Sequence, residues 1–161
     1  MKDSFIQIKS EGLKGKRVAV CVTGSIAACE SVKLLRELRR YGATPQVYMT
    51  PGAERFITPL SLAWAADSKV IQESGFSAEH VAQADFILVA PATLNTIHKF
   101  SFGFADNSVT TLLASAHGLK LPILFVPTMH ESMAQNPIYL EKVTELKKYK
   151  NVFFISGKRE E

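Results

Sequence analysis

Four short segments of the 161-residue chain carry the residue types that could do chemistry, and each follows a run that reads as a β-strand. They are Thr23-Gly24-Ser25-Ile26, Thr50-Pro51-Gly52, Pro91-Ala92-Thr93-Leu94-Asn95-Thr96 and Pro127-Thr128-Met129-His130. The first leads straight into a helical pattern, so its backbone N–H groups and the Ser25 hydroxyl can face an anion with the helix dipole behind them. The same serine can equally be a plain helix cap. Thr50 can offer a second hydroxyl to that anion, although Thr-Pro-Gly is also an ordinary turn sequence. Thr93, Asn95 and Thr96 bring hydroxyl and amide groups that suit the edge of a planar heterocycle. Met129 brings a thioether that adapts to aromatic faces, although core packing is the commoner role of a methionine.

Other chemistries are disfavoured by what the chain lacks. Neither GxGxxG nor GxxxxGK[ST] occurs, so a dinucleotide or ATP in its usual site loses ground to a mononucleotide or a simple phosphate. No GxSxG elbow marks a serine hydrolase. Of the histidines, His80 lies before the central strand, His98 and His117 fall in a helical stretch behind it, and His130 follows a strand end. They form no HxxxH or HExxH face, so no metal site is expected. Cys21 and Cys29 have no histidine nearby and read as two small buried thiols rather than as a zinc knuckle or a disulfide framework.

The elements that must position these residues follow from apolar periodicity. RVAVCVTG (17–24) is a β-branched run ending in glycine, as a strand buried on both faces would be. The next stretch places Ile26, Val32, Leu35 and Leu38 on one helical face and stops at Gly42. ATPQVYMT (43–50) is a second strand. Residues 51–66 read as helical with a break or new start at Pro59, and a weak segment around SKVIQES follows. Phe86 to Ala90 is the strongest central strand. Residues 95–117 read as helix interrupted near Gly103, LPILFVPT (121–128) as a strand, IYLEKVTELKKYK as an amphipathic helix and NVFFIS as a last strand. The alternation predicts an α/β, doubly wound, Rossmann-like (flavodoxin-like) three-layer sandwich with a mainly parallel sheet of about five strands. In such sheets ligands bind beyond the carboxyl ends of the strands, which is where the four segments fall.

Composition fits this reading. With 47% hydrophobic and 21% charged residues the chain is expected to form one globular domain over 1–161, with a polar leader at 1–15. No apolar run approaches the ~20 residues of a membrane span, and the leader has no signal-peptide core, so a cytoplasmic protein without a membrane partner is expected. The formal charge of +4 comes with lysines gathered mainly near the two ends and no aromatics interleaved with them, so no nucleic-acid partner is expected.

The set GSIAA, MTxxAxxFITPLSL, APATxNT, GxADN and PxMxxxM, in this order, resembles the flavin mononucleotide-dependent cysteine decarboxylase family. The likeness runs from about Lys16 to Ser156 and is greatest to the phosphopantothenoylcysteine decarboxylase branch; the prenyl-flavin synthase branch, with TGASG in place of TGSIAA, is less similar. The resemblance implies FMN as cofactor and decarboxylation of 4′-phosphopantothenoylcysteine to 4′-phosphopantetheine. Related enzymes oxidise the cysteine thiol to a thioaldehyde, whose thiocarbonyl draws off the electrons of the departing carboxylate. By the same resemblance Gly24, Ser25, Ile26 and Thr50 cradle the flavin phosphate, Phe56 and Met129 lie near the ring, and Thr93 contacts the flavin. His80 corresponds to the catalytic histidine, and Asn95 and the Ala105-Asp106-Asn107 segment lie near substrate and cofactor. His130 stands where many relatives have the asparagine of PxMN, a substrate-carboxylate ligand. The family pattern ACGxxGxGRM, a flap with a proton-donating cysteine, is not found in the chain, and neither cysteine is placed to replace it. A homo-oligomer, trimer or dodecamer, and a fused or separate synthetase domain are also implied. The alternative is a flavin-binding redox protein or reductase of the same fold acting on another substrate.

Overall fold

A computed structural model describes residues 6–73 and 83–155. Six strands form one sheet in the order β3-β2-β1-β4-β5-β6: β1 (Arg17–Val22), β2 (Thr44–Met49), β3 (Val70–Ile71), β4 (Phe86–Ala92), β5 (Ile123–Pro127) and β6 (Val152–Phe154). Every strand pairing in it is parallel. Among the described residues six α-helices pack around the sheet: α1 (Ser31–Arg40), α2 (Pro59–Ala66), α3 (Leu94–Ser101), α4 (Ser108–Gly118), α5 (Glu131–Ala134) and α6 (Pro137–Leu146). The strand order reverses direction between β1 and β4, and that switch point is where an open parallel sheet leaves a crevice.

Side-chain alternation explains the unbroken apolar runs. Val18, Val20, Val22, Leu88 and Ala90 face one layer, with Leu35 of α1 and Leu62 of α2. Ala19, Cys21, Ile87 and Val89 face the other, with Ile97 and Phe100 of α3 and Leu112 and Leu113 of α4. Burial on both faces leaves no strand position for water, so both parities are apolar. Leu35 and Leu62 are fully buried, and truncating either to alanine costs about 2–5 kcal/mol.

Several expectations are corrected. The sheet has six strands rather than about five, because the weak SKVIQES segment supplies the two-residue edge strand β3, paired with Val47 and Tyr48. Residues Ile26–Glu30 form a 3₁₀ turn, tightened by the bond from Ala28 N to Ser25 O, and α1 starts only at Ser31. That winding leaves Ile26 72% exposed instead of on the buried helical face. Ahead of Pro59 the expected helix is reduced to the 3₁₀ turn Ala53–Arg55, whereas the new start expected at Pro59 is found: it sits in the first turn of α2, where its missing N–H costs nothing, and Thr58 caps the turn. The short α5 is an element that periodicity did not reveal. Cys29 is exposed, with its thiol toward Phe56 O at 3.5 Å, whereas Cys21 is buried and burial pushes its thiol pKa up. The leader is not simply solvated: Leu13 packs against the core and donates its N–H to Tyr41 O, and Lys9 pairs with Glu37 at 2.9 Å. Gly42, at φ +87°, provides the left-handed residue that ends α1. No described helix is long and apolar enough to cross a membrane.

Candidate functional site: a cleft at the carboxyl ends of the strands

One buried hydroxyl holds the switch point together. Thr23, at the end of β1 and fully buried, donates to Pro91 O at 2.7 Å and accepts from Thr93 N at 3.1 Å. The end of β4, irregular in register between Val89 and Ala92, is thereby tied to β1. Thr93 then caps α3 through Thr96 N at 3.4 Å. Three further bonds gather the neighbouring loops: Thr50 N to Val22 O at 3.1 Å, Thr128 N to Ala92 O at 3.1 Å, and Ser108 Oγ to Met49 O at 3.3 Å. Gly24 and Gly52 meet backbone to backbone, and a Cβ on Gly24 would come within 2.9 Å of the Gly52 carbonyl carbon. Only glycine at position 24 permits this approach.

These bonds frame a cleft of about 640 Å³. Gly24, Ser25, Thr50 and Gly52 form one wall, and Thr93, Asn95 and Lys99 line it from the α3 side. Asp106 and Asn107 lie ahead of α4, and Met129 and Met133 bring thioethers from the β5 loop and α5. The structure therefore brings nine of the expected residues together: Gly24, Ser25, Thr50, Thr93, Asn95, Thr96, Asp106, Asn107 and Met129. Three stand outside the lining. Ile26 is exposed, and Phe56 is exposed with its carbonyl toward Cys29. His130 caps α5 through Ser132 N at 3.3 Å, one residue beyond Met129, with its Nδ1 also 2.9 Å from Ser132 Oγ. His80 lies outside the described residues.

Lys99 belongs to the site without having been singled out, and Thr23 and Met133, named only within the Thr23–Ile26 segment and the PxMxxxM motif, belong to it with roles of their own. Thr23 could have been suspected as a threonine between a β-branched strand and a glycine, and Lys99 from its spacing of one helical turn after Asn95. Lys99 Nζ donates to Asp106 Oδ2 at 2.5 Å, which holds the Asp106 carboxyl below the usual carboxylate range. Asp106 also accepts from Asn107 Nδ2 at 3.1 Å and Thr110 Oγ1 at 3.3 Å. The Asn107 oxygen caps α4 by accepting from Val109 N and Thr110 N.

The donor set fits a phosphorylated ring. Thr50 is only 7% exposed, yet its hydroxyl makes no hydrogen bond to any described residue and borders the cleft. The Ser25 hydroxyl accepts from Ala27 N at 3.3 Å, which leaves its own O–H unspent. Two available hydroxyls beside a glycine-glycine contact suit phosphate oxygens, and two flexible thioethers suit a flat aromatic system. Among the described residues no cluster could hold a metal ion.

The flavoprotein family matches this chain over residues 6–160, and the chain belongs to that family. Its relatives narrow the likeness. It is 41% identical over 160 residues to the coenzyme A biosynthesis bifunctional protein CoaBC of Thermococcus kodakarensis, covering 95% of this chain and 39% of that one. It is 38% identical to a probable phosphopantothenoylcysteine decarboxylase of Streptococcus mutans, covering 83% of this chain and 79% of the relative. The chain thus spans about two fifths of the CoaBC relatives it matches. Among solved structures it resembles the FMN-dependent cysteine decarboxylase TvaF from thioviridamide biosynthesis, with a TM-score of 0.79 and 27% identity over 86% of this chain and 89% of the other. It also shares its fold with a PPC decarboxylase C175S mutant, with a TM-score of 0.76 and 22% identity over 87% of this chain and 81% of the other.

Proposed function

We propose that this chain holds flavin mononucleotide in the cleft and decarboxylates 4′-phosphopantothenoylcysteine to 4′-phosphopantetheine in coenzyme A biosynthesis. The observation that carries the proposal is the unpartnered Thr50 hydroxyl in the same cleft as Ser25, the Gly24–Gly52 contact and Met129. The names of the CoaBC and Streptococcus mutans relatives support the same substrate.

Gly24, Ser25, Ile26 and Thr50 would hold the flavin phosphate through backbone N–H groups and hydroxyls, with Thr93 and Met129 along the ring. Bound there, the flavin would supply the two-electron acceptor that converts the thiol-bearing carbon of the substrate to a thioaldehyde and returns the electrons once carbon dioxide has left. Asn95 donates its amide N–H to the substrate carboxylate, and His130 serves the same group from the neighbouring loop. Leu94 and the two methionines exclude water from the reacting carbon. His80 handles the proton on the substrate thiol.

The chain works in the cytoplasm as a homo-oligomer, a trimer or dodecamer, alone or joined to a synthetase domain. Support for assembly comes from Ile26, Phe56 and Leu60, apolar residues left exposed on the first loop, the loop after β2 and α2, which a second copy would cover. Light scattering on the purified chain tests it, and a monomer that retains flavin would overturn it.

The purified protein is expected to be yellow, with the visible bands of oxidised flavin, and to release carbon dioxide from phosphopantothenoylcysteine without added reductant. A protein still colourless after soaking in excess flavin mononucleotide refutes the cofactor assignment. Bound flavin without carbon dioxide release leaves the redox-protein alternative.

A further inference from the structure

Within that reading, we infer that Lys99, parked on Asp106, is a specificity residue that binds an oxyanion of the substrate. Lys99 is the one lysine or arginine among the described residues lining the cleft, and it sits one turn after Asn95 on α3. The proposed substrate bears a phosphate and a carboxylate, and the flavin phosphate adds further negative charge. Gly24, Ser25 and Thr50 supply dipoles at one wall, so a full positive charge for the substrate comes from Lys99.

The Asp106 contact is built to be shared. One of the three ammonium N–H bonds goes to Asp106, and no other described acceptor takes the remaining two. Asp106 in turn keeps Asn107 Nδ2 and Thr110 Oγ1 as donors, so its carboxylate stays bonded if Lys99 swings toward a ligand. The Lys99 side chain is 29% exposed, enough to reach the cleft and enough screened from water for its charge to count. At rest the pair is neutral overall, and this keeps an unpaired charge out of the cleft when the substrate is absent.

The test is steady-state kinetics of the flavin-loaded wild type, Lys99→Met and Lys99→Arg, with phosphopantothenoylcysteine and with its unphosphorylated form pantothenoylcysteine. Calorimetric titration with the product 4′-phosphopantetheine supplies a readout independent of turnover. Lys99→Met is expected to raise KM for the phosphorylated substrate about 10–100-fold with kcat within about threefold, as loss of a charge-assisted hydrogen bond implies. Lys99→Arg is expected to stay within a few-fold of wild type. If KM rises for the phosphorylated substrate alone and product binding weakens, the oxyanion is the phosphate. If KM rises for both substrates and product binding holds, it is the carboxylate. An unchanged KM in Lys99→Met overturns the inference, as does an equal loss in Lys99→Met and Lys99→Arg, which would assign the lysine to joining α3 and α4. A wild type that releases no carbon dioxide sinks the proposed function instead.

Discussion

The two rims of the sheet are tied by the same kind of bond, side chain to main chain, but with different groups. At the amino rim the ties are amide and carboxylate side chains, exposed or half-buried: Gln46 Nε2 to Lys69 O at 2.6 Å, Asn151 Nδ2 to Leu121 O at 2.9 Å, and Arg17 N to Asp85 Oδ2 at 2.7 Å. At the carboxyl rim they are short hydroxyls, both buried: Thr23 to Pro91 O and Ser108 to Met49 O. Water competes for the first set, so each is worth little; the second set is shielded from water and finds alternatives only within the protein, Ile71 O at 3.4 Å for Ser108 and Thr93 Oγ1 at 3.4 Å for Thr23, so losing a hydroxyl strands its neighbours. A β-hydroxyl also has only one side-chain torsion to fix, so it positions a loop at small entropic cost. The comparison teaches that rigidity is concentrated where a ligand must be met.

The largest expected effect comes from Thr23→Val, which preserves shape and removes both bonds. Pro91 O and Thr93 N would be buried without that partner, so unfolding in urea should show a loss of about 2–4 kcal/mol, with flavin retention falling too. Stability within ~0.5 kcal/mol of wild type would erase the distinction between the rims. Thr50→Val sharpens it from the other side: its hydroxyl has no described protein partner, so the melting temperature should hold while flavin Kd rises about 5–10-fold. Gln46→Ala, at the amino rim, should cost no more than about 0.5 kcal/mol and leave flavin Kd unchanged.

The smallest expected effect is in pH. Burial, with Lys120 adding to it, lowers the His117 pKa from its ordinary 6.5. The unfolded chain therefore takes up the proton more readily, so the contribution of His117 is complete above about pH 6.5 and declines as pH falls through the lowered folded value. Thermal melts of wild type and His117→Gln between pH 5 and 8 should show a shallower acid-side decline in the variant.

What could be read in advance follows from the range of each interaction. The four strand-end loops were legible because two-sided burial writes β-branched runs that stop at glycine or proline, and the cleft residues they carry, from Gly24 to Met129, followed from the rim rule. The bonding role of Thr23 was not legible, although its segment stood out, because its partner Pro91 lies 68 positions away and a lone threonine carries no mark of that bond. Lys99 reads as an ordinary helix-surface charge until Asp106 is seen beside it. Ile26 was put on a buried face because apolar spacing assumes an α-helix, while the chain there winds as 3₁₀. The edge strand β3, two residues long, is too short to show a period of its own.

At the contact between positions 24 and 52, two turns mesh like gear teeth with no side chain to act as a cushion. Lengthening either turn by one residue would push the other out of place, so the two are bound to keep their lengths together. The meshing itself is written in main chain, so Thr23, Ser25 and Thr50 can keep their hydroxyls for bonding while the two glycines set the spacing.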